Sequence, residues 1–80
     1  QELVNVRVKD KKAVRNDPVI CELTNRLGQE LGKDGRILVR ESGTEPVIRV
    51  MAEAKTKEMC KEVVDKIVSK IKEQGHAVEE

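Results

Sequence analysis

The chain contains no phenylalanine, tyrosine or tryptophan. Without aromatic faces it lacks the stacking platforms on which proteins hold unpaired bases, and the rings against which sugars lie. It has two cysteines, Cys21 and Cys60, and one histidine, His76. Two cysteines make no disulfide framework, and there is no C-x-x-C pair. Both fall in predicted helices, where the favoured reading is a free thiol serving as a small core residue in a reducing compartment. A single bridge between the two helices stays open. No cysteine lies at zinc-ligand spacing from His76, which reads as a solvated tail residue. No apolar run approaches the roughly 20 residues needed to cross a bilayer. Nothing at the N-terminus reads as a signal peptide, so a cytoplasmic location is the expectation. Charge of one sign is missing too: 16 Lys and Arg stand against 15 Asp and Glu, a net of +1. A nucleic-acid or acidic-membrane partner held mainly by charge is therefore disfavoured.

Charge itself is abundant, at 39% of the residues, against roughly 25% in an ordinary globular domain. With 80 residues, one domain over residues 1–80 is the ceiling. A chain of this length buries only about 60–65% of its unfolded surface, so any pocket is shallow.

Periodicity lays out the elements. Val4, Val6 and Val8 alternate with Asn5, Arg7 and Lys9, predicting a strand over Leu3 to Lys9 with one buried face. The charged stretch Asp10 to Arg15 bounds it. Asp17-Pro18 announces a helix, since Asp caps free backbone N–H groups and Pro at the first position sacrifices no hydrogen bond. Its stripe is Ile20, Leu23, Leu27 and Leu31, with Gly32 as the stop. A turn over Gly32-Lys33-Asp34-Gly35 precedes a short strand at Ile37 to Val39. A third strand runs from Val47 to Ala54, mostly apolar and interrupted by Arg49. Thr56 caps a last helix with the stripe Cys60, Val63, Val64, Ile67 and Ile71, closed by Gly75; Glu62 and Lys66 form an i,i+4 pair on its outer face. The order β-α-β-β-α implies a small α+β two-layer sandwich, two helices on one face of a mainly antiparallel sheet. Its thin aliphatic core suits a unit docked on something larger.

The segment Arg40-Glu41-Ser42-Gly43-Thr44-Glu45-Pro46 carries the chemistry. A phosphate monoester needs convergent donors, positive charge and a backbone it can approach closely. Ser42 and Thr44 supply hydroxyls, Gly43 allows φ > 0 and hence a nest of inward N–H groups, and Pro46 limits the freedom the loop must give up. Arg40 can set a planar fork against two oxygens. Between Asp34 and Ala54 there are three arginines (Arg36, Arg40, Arg49) and no lysine, whereas ten lysines populate the rest. Geometric recognition favours arginine, so this segregation fits a recognition loop. The plainer alternative is a hairpin turn with exposed arginines beside it.

The string from Gly35 to Met51 resembles the C-terminal domain of the α-D-phosphohexomutases, with the pattern R-x-S-G-T-E-P-x-x-R-V-M met by Arg40 through Met51. Gly43 makes it most similar to the branch acting on glucosamine phosphate, because relatives acting on mannose or glucose phosphates more often have Asn there. Asn5 to Lys11 is similar to the start of that domain. The resemblance covers essentially the whole chain; it departs at Glu41, where many members carry Pro, so Glu41 is expected to point away or to pair with an arginine.

The resemblance implies a TBP-like sandwich cut from a four-domain enzyme, which the absent initiator Met also suits. It implies that Arg40, Ser42, Gly43 and Thr44 grip the substrate phosphate that is not being transferred, with Arg49 supporting them from the next strand. The reaction implied interconverts glucosamine 6-phosphate and glucosamine 1-phosphate through a bisphosphate, feeding UDP-N-acetylglucosamine synthesis. The phosphoserine and the Mg²⁺ loop would belong to the other three domains, leaving this one with no catalytic residue, no metal ligand and no cofactor of its own. Two rival classes stand beside it. A KH-like RNA-binding module is suggested by the G-x-x-G at Gly32 to Gly35, but that loop should join two helices and here leads into a strand. A structural interaction domain with an ordinary hairpin at residues 41 to 46 is the other.

Overall fold

The structure is a computed structural model and describes residues 2–78. The valine alternation gives strand β1, Glu2–Arg7, with Val6 and Val8 buried and Asn5 and Arg7 exposed. Strand β2 covers Arg36–Glu41 and β3 covers Val47–Glu53. The three form an antiparallel sheet in the order β1-β3-β2. β3 takes the centre because its inward face, Ile48, Val50 and Ala52, is wholly apolar and fully buried. Its register against both neighbours is fixed by that face, with Val6 opposite Ile48 and Val39 opposite Val50.

The predicted helices lie on this apolar face. Helix α2, Pro18–Leu31, starts on Asp17, whose Oδ1 accepts from the Val19 N–H at 2.9 Å, with Pro18 in the first turn. Helix α3, Lys57–Glu73, starts on Thr56, whose hydroxyl accepts from the Met59 N–H at 3.1 Å. Their stripes, Ile20, Leu23 and Leu27 on one and Cys60, Val63, Val64, Ile67 and Ile71 on the other, complete the core. The Lys66–Glu62 pair forms at 3.3 Å on the outer face of α3. Between α2 and β2 the chain makes one 3-10 turn, Gly32–Asp34, and then enters a strand. The G-x-x-G therefore does not join two helices. Gly35 is required there by close approach: a Cβ would lie 2.7 Å from the Leu31 Cβ and 2.8 Å from the Glu53 carbonyl oxygen.

Four features differ from the sequence expectation. The charged stretch after β1 is a helix, α1, Lys11–Asn16; Asp10 caps it by accepting from the Lys12 and Ala13 N–H groups at 3.0 and 3.4 Å, and Val14 anchors it in the core. The observed order is thus β-α-α-β-β-α. Cys60 is buried, but Cys21 is exposed on α2 with its Sγ 3.3 Å from the Arg15 carbonyl; both thiols are free. His76 is not a solvated residue. The end of α3 closes in a Schellman turn, with Gly75 at φ 80°, the Gly75 N–H on the Lys72 carbonyl and the His76 N–H on the Ile71 carbonyl. This turn carries Ala77 into a bridge with Val8 and sets His76 Nε2 2.7 Å from Asp17 Oδ2, its side chain only 18% exposed. Finally, the left-handed freedom of Gly43 is not used: Gly32 and Gly75 are the positive-φ residues among those described.

Candidate functional site

The sheet has one face against the helices and one open. Across the open face the register sets successive rows: Arg7 beside Val47, then Asn5, Arg49 and Arg40, then Leu3, Met51 and Leu38, then Glu53 and Arg36. Directly opposed residues share a face with Cα atoms about 4.5–5.5 Å apart, so Arg40 and Arg49 emerge side by side. Two like charges in this relation destabilise a sheet.

The three arginines near the loop have different fates. Arg36 is taken: its Nε and Nη2 donate to the two carboxylate oxygens of Glu53 at 3.2 and 3.3 Å. Arg40 and Arg49 are exposed, and among the described residues neither has an ionic partner.

Residues 42–46 join β2 to β3 at the end of the sheet where this pair lies. The Ser42 N–H donates to the Val47 carbonyl at 2.9 Å and closes the hairpin, while the Val47 N–H turns back to the Glu45 carbonyl at 2.8 Å. The Pro46 carbonyl accepts from the Val8 N–H at 2.8 Å, so the loop exit is tied to β1. Lys11 Nζ donates to the Ser42 carbonyl at 2.7 Å. Both ends of the loop are thus held, and its middle is not. Among the described residues, the N–H groups of Gly43 and Thr44 and the hydroxyls of Ser42 and Thr44 have no protein partner. A Cβ on Gly43 would meet nothing within 4 Å, so the space over the loop is open to an approaching ligand.

Glu41 stands apart from this donor set. Its register partner is Ile48, so it lies on the helix side of the sheet, opposite to Arg40 and Arg49. There its Oε2 is 3.9 Å from Arg15 Nη1. No carboxylate of Glu41 intrudes on the two free arginines.

All five residues singled out from the sequence, Arg40, Ser42, Gly43, Thr44 and Arg49, therefore fall at one end of one hairpin. Lys11 and Arg15 were missed. Both belong to α1, and the signal that could have found them is two basic residues at i and i+4 just after a capping Asp10. Among the described residues no group of three or more His, Cys, Asp or Glu side chains converges that could hold a metal ion. No helix of the described residues is long and apolar enough to cross a membrane.

Comparison with known proteins bears directly on the hairpin. Residues 3–70 match the family described as phosphoglucomutase/phosphomannomutase, C-terminal domain, a span that includes all of the loop and both arginines. Among individual relatives, a phosphoglucosamine mutase of Lachnoclostridium phytofermentans is 50% identical over 76 residues, covering 95% of this chain and 17% of that protein. One from Bacillus subtilis is 53% identical over 72 residues, covering 90% of this chain and 16% of its own length. One from Bacillus cytotoxicus reaches 54% with the same coverage. The chain thus spans about a sixth of the length of the relatives it matches. The α+β sandwich and the R-x-S-G-T-E-P hairpin at its sheet end are what this match embraces, and the chain belongs to the phosphoglucomutase/phosphomannomutase C-terminal domain family.

Proposed function

We propose that this chain is the part of a phosphoglucosamine mutase that holds the phosphate of a phosphosugar not undergoing transfer. The observation that carries the reading is the pair Arg40 and Arg49, side by side, exposed and without ionic partners among the described residues, next to a loop whose Gly43 and Thr44 N–H groups and Ser42 and Thr44 hydroxyls have no protein partner there. A dianionic phosphate between the two guanidiniums turns a repulsion into two charge-assisted contacts. The Gly43 and Thr44 N–H groups and the two hydroxyls supply the remaining donors. Such a grip orients the substrate and neutralises it, raising the effective concentration of its reacting oxygen at a catalytic group elsewhere. Because the site reads a phosphate and little of the sugar, it accepts either end of a bisphosphate, and this lets the intermediate turn over between glucosamine 6-phosphate and glucosamine 1-phosphate. The catalytic group and the Mg²⁺ belong to the other three domains of a four-domain polypeptide, which are also this domain's partners. The setting is the cytoplasm, and the product serves the synthesis of UDP-N-acetylglucosamine. The names of the relatives support the activity, and the length they have beyond this chain leaves room for further domains.

Titration with glucosamine 6-phosphate, followed by backbone amide shifts, tests the site. Shifts are expected to concentrate at residues 40–49 and to be lost in Arg40→Ala. A response confined to another region, or one unaltered by Arg40→Ala, overturns the reading.

A further inference from the structure

Helix α1, anchored in the core by Val14, touches the candidate site at two points. Lys11 and Arg15, one turn apart, face the loop together: the first reaches the Ser42 carbonyl at 2.7 Å and the second the Glu41 carboxylate at 3.9 Å. The Lys11 contact is half-buried and links residues 31 apart in sequence. A trans peptide is planar, with its C=O and N–H pointing to opposite sides, and the described residues contain no cis bond. An ammonium holding the Ser42 oxygen therefore fixes the Gly43 N–H in the opposite direction. Helix α1 lies on the helix side of the sheet, since Val14 is buried in the core there. The direction opposite to it is the side from which Arg40 and Arg49 emerge.

We infer that Lys11 is a positioning residue for the anion site, setting the peptide between Ser42 and Gly43 so that the Gly43 N–H points at the ligand. The inference rests on the phosphate reading proposed above. Among the described residues this peptide has no side-chain hydrogen bond besides that of Lys11; without it either face can be presented, and binding must then meet the cost of selecting one. Arg15 has the companion task. The register already sets Glu41 on the helix side, and Arg15 gives its carboxylate an ionic neighbour there, away from Arg40. The single positive charge of Lys11 also adds long-range attraction, but that part is shared by any nearby cation and is screened by salt. Orientation is not.

The test compares Lys11→Met, which keeps the stem and removes the ammonium, with Lys11→Arg, which keeps a donor for the carbonyl. Two readouts are taken on the ¹⁵N-labelled chain: the Gly43 amide resonance without ligand, and the affinity for inorganic phosphate at about 0.3 M salt. Lys11→Met is expected to move and broaden the Gly43 resonance and to weaken phosphate about three- to tenfold, as for the loss of one ordinary hydrogen bond to the ligand. Lys11→Arg is expected to restore both, and Arg15→Gln to leave the Gly43 resonance near its original place. A Gly43 resonance unmoved in Lys11→Met overturns the inference, as does a loss of affinity that vanishes at high salt, which would reduce Lys11 to a diffuse charge. Failure of the wild-type chain to bind phosphate at the loop fells the underlying site reading, and the ligand-directed part of this one with it. Resonances of Ile48 and Ile67, deep in the core, report whether each variant is folded.

Discussion

At the scale of single residues, the most informative contrast is between Arg36 and the pair Arg40 and Arg49. Arg36 faces Glu53 across the strands and is satisfied by it. Arg40 faces Arg49, and the fold bears the repulsion of two guanidiniums held by the register in one row. Such an arrangement is a cost in the free chain and a gain only once an anion arrives. The two consequences separate experimentally. Arg49→Gln removes one charge from an exposed position, so the unliganded chain should gain roughly 0.2–1 kcal/mol in stability. The gain should shrink as salt screens the pair. Phosphate binding should fall about tenfold or more in the same variant, the equivalent of one charge-assisted hydrogen bond. Urea denaturation at low and high salt, with and without phosphate, measures both. An Arg49→Gln chain that is less stable at low salt would show that Arg49 is held by favourable contacts, and the argument from repulsion would fail.

At the scale of elements, the termini of α2 and α3 meet in one cluster. Asp17 caps α2 through Oδ1, while its Oδ2 accepts from His76 Nε2 at 2.7 Å and from Gln74 Nε2 at 3.2 Å. These contacts pull the Asp17 carboxyl below its ordinary value of 3.8, the His76 hydrogen bond being the largest cause; burial opposes it, and the Val19 N–H and Gln74 add to it. A carboxyl with a lowered folded pKa contributes stability that is complete above 3.8 and is lost as the pH falls through the lower folded value. Asp17→Asn keeps a capping oxygen but cannot titrate. The difference in unfolding free energy between wild type and this variant should therefore be constant above pH 5 and close progressively below about pH 4, as followed by circular dichroism. A difference independent of pH would mean that the His76 contact contributes nothing through the charge of Asp17. This cluster also explains what the sequence did and did not disclose. Helices α2 and α3 were legible because each repeats apolar residues every three or four positions and each begins on an identifiable cap. Helix α1 was not, because six residues with one buried side chain, Val14, have no period to read. His76 looked like a tail because its partner is 59 residues away, and only the Schellman turn at Gly75 brings the two together. For the loop the case is intermediate: the donor chemistry of Ser42 and Thr44 and the arginine bias were visible, whereas Lys11 reaches the loop only through a helix the sequence did not announce.

At the scale of the whole molecule, the decisive quantity is how little of an active site one hairpin can provide. The chain is about a sixth as long as its relatives, and its donors lie on an open sheet end, not in an enclosed cleft. Two guanidiniums and a few N–H and O–H groups in contact with water must offset the loss of translational and rotational freedom of the ligand, a cost of at least several kcal/mol. Affinity for a phosphosugar should accordingly be weak, in the region of 1 mM, or about 4 kcal/mol, and it should decline as salt is added. Catalysis demands more still: a group to accept and return the phosphoryl, and positive charge around it in a space from which water is excluded. The chain has two serines; Ser69 is on the exposed side of α3, and Ser42 is at the start of the hairpin loop proposed to hold phosphate. Neither has a base held against it among the described residues. Glucosamine 6-phosphate incubated with the chain and followed by ³¹P resonance should bind without conversion to glucosamine 1-phosphate over a day, even with Mg²⁺ and a bisphosphate primer supplied. Turnover above the uncatalysed rate would show that the hairpin does chemistry of its own, beyond the phosphate holding proposed for it.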